Sequence, residues 1–337
     1  MSSVARRLRA SGYVNARVDA GGASAGARFG FGGTMTRSLR GSEVRRLPDD
    51  AAPGVADTRL LPNDDFAAAW SAIVLPDDMK QRLLRTAVAE AHLRAAVPFD
   101  ALPLHGVVLL TGKPGVGKTT VARGLANQVA RAVTHGGQWL FVEVDPHSLA
   151  SSSLGRSQRA VEQLFGTLLN EHAAAGPMIV LLDEVETLFT DRAALSMEAN
   201  PVDVHRAVDA ALVGLDRLAR RHPQMLIVAT TNFSDALDPA LASRADWIVE
   251  VPLPDRAARR QILEHAAAAV AAAFPGARRL LEPALLDAAA EEAVGLDGRR
   301  LRKAVATACA YQPEAQGDPD RVTGQDLLAV LREEGGH

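Results

Sequence analysis

Five short groups of residues carry chemistry in this sequence. Gly112-Lys113-Pro114-Gly115-Val116-Gly117-Lys118-Thr119 fits the spacing G-x-x-x-x-G-K-[ST], in which glycines let successive backbone N–H groups turn inward around phosphate oxygens. Lys118 is placed to reach the β- and γ-phosphates of a nucleotide, and the Thr119 hydroxyl to ligate Mg²⁺. Gly112, Pro114, Gly115, Val116, Gly117, Lys118, Thr119 and Thr120 are therefore the expected phosphate-binding stretch. Asp183-Glu184 ends an apolar run; Asp183 suits a second Mg²⁺ ligand and Glu184 a carboxylate that polarises an attacking water. Asn232, at the end of the next apolar run, can hold the same water or read the γ-phosphate, or simply cap a turn. Arg244 lies between the last two apolar runs, where it suits an arginine supplied to a neighbouring subunit's γ-phosphate. Arg299 opens a helix in the basic run Arg299-Arg300-Leu301-Arg302-Lys303 and can close onto the phosphates from the far side; a solvated helix face is the plain alternative for that run.

These residues need strand ends and helix starts to hold them. Val107 to Thr111 reads as a buried strand, and Val121, Leu125 and Val129 give an amphipathic helix after the glycine loop. Trp139 to Val144, Met178 to Leu182, Met225 to Thr230 and Trp247 to Val251 read as further strands, separated by helical runs over about 157–172 and 204–218. Apolar strands alternating with amphipathic helices predict a parallel sheet covered on both faces, which puts Asp183, Glu184 and Asn232 along its ligand-binding edge. From Asp255 onward only helical runs remain, so a domain boundary is expected near Pro252-Leu253-Pro254. Pro76-Asp77-Asp78 before Met79, Leu83, Leu84 and Val88 is a helix start.

The expected organisation is thus an Arg/Gly-rich segment over 1–58, an α/β domain over 59–252 and a small all-helical domain over 253–337. The first fifty residues hold nine Arg, no Lys and four acids. A mobile tail is one reading of that segment. A short hairpin, from the alternation around Val14 to Val18 and Phe29 to Phe31, is the other. Elsewhere composition excludes more than it assigns. A net charge of −3 gives no sign of a nucleic-acid partner, and the single cysteine, Cys309, forbids an intrachain disulfide. No apolar run approaches the ~18 residues of a membrane span and no signal peptide is visible, so a soluble cytoplasmic protein is expected.

Taken together, the five groups resemble the AAA+ ATPase pattern of Walker A, Walker B, sensor 1, arginine finger and sensor 2. The details His147-Ser148-Leu149, Asp183-Glu184-Val185-Glu186, Asp203 to Asp216, Ser243-Arg244-Ala245-Asp246 and Gly298-Arg299-Arg300 resemble the HORMA-remodelling branch, the pachytene-checkpoint ATPases and their bacterial relatives. The likeness runs from about Leu60 to Ala310.

That resemblance implies ATP and Mg²⁺ as cofactors and a homo-oligomer, a ring hexamer, that grips and partly unfolds a HORMA-domain protein, in bacteria within antiphage signalling. It gives Trp70 and Ile73 a role over the adenine, against a plain reading as core. It also places the first pore loop at Ala150 to Gly155, with Ser153 where relatives carry an aromatic and Leu154 left to grip. Two other functions remain open: a general AAA+ unfoldase or enzyme-activating remodeller, and a nucleotide-gated scaffold with little turnover. Direct contact with membrane or nucleic acid is not expected.

Overall fold

The computed structural model describes residues 47–48, 52–134, 137–149, 156–189, 201–233, 237–311 and 317–335. The hairpin expected within 13–31 and the pore-loop residues Ser153 and Leu154 lie outside them.

An edge strand β1 (Val55–Leu61) precedes helices α1 (Asp64–Ala72) and α2 (Asp77–Ala96). Then come β2 (Val107–Thr111), α3 (Lys118–Ala132), β3 (Trp139–Val144) and the single turn α4 (Pro146–Leu149). Helix α5 (Arg156–Gln163) passes through a π segment, Leu164–Leu168, into α6 (Leu169–Ala174), and β4 (Met178–Leu182) follows. The sheet region closes with α7 (Pro201–Arg221), β5 (Met225–Thr231), α8 (Pro239–Ala242) and β6 (Trp247–Glu250). Among the described residues four α-helices follow: α9 (Arg256–Ala273), α10 (Pro283–Glu292), α11 (Gly298–Ala308) and α12 (Gly324–Gly335).

The strands lie in the order β1-β3-β4-β5-β2-β6, all neighbours parallel except the antiparallel pair β1–β3. The near-continuous apolar character of β2 to β5 follows from burial on both faces, since side chains alternate sides along a strand. Val107, Leu140, Val142, Met178 and Val180 face one core with α5, α6 and α7. Their neighbours Val108, Trp139, Phe141, Ile179 and Leu181 face a second core with α1, α2 and α3. Helix α1 can sit close to α3 because Gly124 has no side chain: a Cβ there would fall 2.7 Å from the Trp70 ring. Helices α9 to α12 surround a third core of Ile262, Leu263, Leu286, Leu301, Val305 and Leu331.

Strand β1 is not predicted from the sequence, nor are helix α1 and the short α4 and α8, and β1 runs through residue 58, where an Arg/Gly-rich segment was expected to end. Its alternation is weak because it is an edge strand: Arg59 pairs with Asp57 and Asp65, and only Leu61 is fully buried. Among the described residues no helix is long and apolar enough to cross a membrane.

Candidate active site

The phosphate loop bridges the end of β2 and the start of α3. Gly117 stands at the N-cap with φ of 96°, a conformation that glycine adopts without a Cβ penalty. From inside the loop the Lys118 ammonium donates to the carbonyls of Gly112 (2.8 Å) and Lys113 (3.0 Å) and to Asn232 Oδ1 (2.8 Å). Burial pushes its pKa down, while the nearby carboxylates of Glu186, Asp183 and Glu184 hold it up.

Beside the loop, the ends of β4 and β5 bring the acids together. The Thr119 hydroxyl donates to Asp183 at 2.9 and 3.1 Å, and the Thr230 hydroxyl donates to Asp183 Oδ1 at 2.5 Å. Thr230 Oγ1 in turn accepts the Glu184 backbone N–H at 3.1 Å. Glu184 is the only non-glycine residue with positive φ (51°) among those described, a costly conformation of the kind that gathers at functional sites. Its carboxylate receives Asn232 Nδ2 at 3.3 Å and lies 3.3 Å from His147 Nε2. Asn232 is itself fixed by its backbone N–H, which donates to Glu186 Oε1 at 3.1 Å. The convergence of the Thr119 hydroxyl on Asp183 supplies the hard oxygen donors that Mg²⁺ prefers, so the residues present fit that ion.

Across the cleft stands the start of α11. Asp297 caps it by accepting the N–H groups of Arg299 and Arg300, and the Arg299 N–H also reaches the Gly115 carbonyl at 3.3 Å. The loop and helix meet so closely that a Cβ on Gly115, whose φ is 83°, would lie 2.1 Å from Asp297 Oδ1. Pro114, Gly115, Gly117, Lys118, Thr119, Thr120, Asp183, Glu184, Asn232 and Arg299 therefore line one cleft of about 350 Å³. Arg302 and Lys303 line it too, whereas Arg300 turns away to Glu334. Positions three and four after Arg299 share its helix face, which is the signal that singles these two out.

Next to it, an apolar cleft of about 160 Å³ is lined by Val74, Leu75, Val116, Leu253, Ile262 and neighbours. Trp70 and Ile73, given an adenine-facing role by resemblance, pack instead against the core of α1, α2 and α3. It is the next two residues, Val74 and Leu75, that reach the cleft. The spacing could not reveal this, because the opposite wall comes from residues more than 170 positions away in the chain.

Arg244 is not in either cleft. It sits at the opposite end of the sheet: Asp246 N donates to the Val107 carbonyl, and Trp247 pairs with Val108 at the start of β2. The phosphate loop begins five residues further along β2, roughly 16 Å away at 3.3 Å per residue. At this end Arg244 is held side-on by Asp216, Nε to Oδ1 at 2.7 Å and Nη2 to Oδ2 at 2.8 Å, and its Nη1 donates to the Ala240 carbonyl at 2.8 Å. The Arg244 bonds hold the Asp216 carboxyl below the usual carboxylate range.

Sheet, loop and acids define a P-loop nucleotide-binding protein. Residues 108–253 match the family described as ATPase family associated with various cellular activities (AAA). The chain is 48% identical over 280 residues to CD-NTase-associated protein 6 of Pseudomonas aeruginosa, covering 83% of this chain and 92% of that protein. It is 32% identical over 217 residues to the pachytene checkpoint protein 2 homolog of Arabidopsis thaliana, spanning 64% of this chain but only 46% of that longer protein. A chain of the E. coli MS115-1 HORMA:CdnC:Trip13 complex superposes with a TM-score of 0.67 at 18% identity, over 83% of this chain and 95% of that one. The chain belongs to the AAA ATPases, in the branch that holds CD-NTase-associated protein 6 and the pachytene checkpoint proteins. It is accordingly an ATP-binding enzyme that hydrolyses its nucleotide.

Proposed function

We propose that this ATPase works as a homo-hexameric ring in the cytoplasm that partly unfolds a HORMA-domain protein and so dissociates its complexes, within bacterial antiphage signalling. The family likeness supports the client: the chain spans nearly all of CD-NTase-associated protein 6, and its fold matches a chain solved in a complex with a HORMA protein. The observation that carries hydrolysis, as against mere binding, is Glu184 standing beside Asn232 at the phosphate cleft.

In this reading the backbone of the loop, Lys118, and Arg299 with Arg302 and Lys303 hold the polyphosphate. The apolar cleft at Val74, Leu75 and Ile262 takes the base. Glu184 accepts a proton from the attacking water while Asn232 fixes that carboxylate and the water beside it. Mg²⁺ held by Thr119 and Asp183 would supply the positive charge that offsets charge building on the γ-phosphoryl oxygens. Arg244 serves the cleft of the next subunit, because the sheet separates it from its own. Residues 59–252 act as the ATPase domain, extended by β1, and 253–337 as a lid whose α11 follows the phosphate loop. Force reaches the client through Leu154 and Ser153 at the pore.

The test is dissociation of a purified HORMA partner complex by the protein and ATP. Wild-type protein releases the partner, and Glu184→Gln binds the complex without releasing it. Intact complexes in the presence of wild-type protein that is hydrolysing ATP would overturn the assignment of client.

A further inference from the structure

Arg244 faces a particular physical difficulty. An arginine that must act on another copy's phosphate carries a long, flexible side chain, and none of its own chain's phosphate-binding groups is near enough to order it. The structure contains a device that removes this freedom. Asp216, three-quarters of the way along α7, takes Nε and Nη2 in a planar two-bond grip, and the Ala240 carbonyl takes Nη1. Such a fork-to-carboxylate pair fixes the plane of the guanidinium as well as its position.

The carboxylate is braced in turn. Asp216 Oδ1 lies 3.3 Å from His105 Nε2, and the His105 ring meets Phe99 edge-to-face at a centroid distance of 5.3 Å. The other side of the loop is tied by Asp246, whose carboxylate accepts the backbone N–H groups of His105, Gly106 and Val107 at 3.1, 2.6 and 3.0 Å. Arg244 is thus held by one carboxylate, Asp216, which reaches His105, while the segment from His105 to Val107 is itself tied down by Asp246, two residues after Arg244.

We propose that Asp216, braced by His105, is a positioning residue that pre-orients Arg244 for the phosphate of a neighbouring copy of this chain. The inference rests on the assignment of Arg244 to a neighbour's cleft, and it adds the residue that makes the arginine competent. Asp216 touches no nucleotide itself, so its loss acts through Arg244: turnover falls while the protomer's own cleft is unaltered.

Three measurements test this on the full chain. In Asp216→Ala, kcat for ATP falls about tenfold to a hundredfold, the scale on which outer partners of functional groups act, with KM and nucleotide affinity unchanged. Asp216→Asn, which keeps the size and one acceptor, lies between this variant and wild type and guards against a folding defect in the first. The third measurement uses mixed assemblies. Glu184→Gln subunits cannot hydrolyse but carry an intact Arg244 and Asp216, so co-assembly with Asp216→Ala subunits restores activity to the latter. Arg244→Ala mixed with Glu184→Gln is the control. Restoration in both mixtures supports the proposal. Restoration with Arg244→Ala but not with Asp216→Ala overturns the role of Asp216 alone, and restoration in neither overturns the placing of Arg244 in a neighbour's cleft. Wild-type kcat in Asp216→Ala also overturns it.

Discussion

At the scale of single residues, the site depends on a hydroxyl that no motif singles out for itself. Thr230 is buried at the end of β5, donates to Asp183 and accepts the Glu184 amide, so it sets both acids of the site in register. Glu184 needs this support because its φ of 51° is not one that a glutamate adopts for its own sake. Replacing Thr230 with Val keeps the shape but removes both bonds and leaves an amide without its acceptor. We expect Thr230→Val to lower kcat about tenfold or more while nucleotide affinity changes little. Steady-state hydrolysis beside fluorescent-nucleotide binding checks this, and an equal loss in both would move Thr230 from orienting the acids to shaping the pocket.

At the scale of elements, α2 is fastened beneath the sheet by charged groups that a sequence reading takes for surface. Glu90 is 1% exposed. Burial, reinforced by the neighbouring Asp246 and opposed by Arg94, pushes its pKa from 4.5 up to about 9. Arg94 is buried alongside and donates to the carbonyls of Met225, Ala219 and His222. At neutral pH the folded chain therefore holds a proton on Glu90 that the unfolded chain has lost. Below about pH 4.5 both states carry it and the folded state suffers no penalty; from there to about pH 9 stability declines as pH rises. The slope from this group is at most about 1.4 kcal/mol per pH unit. Thermal melts from pH 6 to pH 9 should show the decline, and Glu90→Gln should flatten it. An unchanged slope in that variant would place the titration elsewhere. The C-terminal helices meet the phosphate loop as closely: α11 touches it by the Arg299 N–H and the Asp297 cap, so any shift of Gly115 is felt at the helix start.

For the whole molecule, the position of Arg244 decides whether one copy suffices. Because the arginine and the phosphate cleft lie at opposite ends of β2, hydrolysis is expected to require contact between copies. Specific ATPase activity should rise with protein concentration, while Arg244→Ala lowers the plateau by on the order of a thousandfold and leaves nucleotide binding intact. Activity per molecule that is constant on dilution to a demonstrated monomer would contradict this.

The sequence by itself determined most of the residues that line the cleft at the phosphate loop. The loop from Gly112 to Thr119, Asp183, Glu184 and Asn232 sit at the ends of apolar runs, and a parallel sheet buried on both faces turns such runs into strands whose ends share one edge. Local pattern sufficed because each group is anchored to its own strand. Only the tertiary structure decided the rest. It brought Val74 and Leu75 against Leu253 and Ile262, added β1 to the edge, buried Glu90 so that its pKa is raised, and joined Asp216 to Arg244. Each of these is a meeting of segments distant in sequence, and burial, packing and charge are properties of the meeting rather than of either segment.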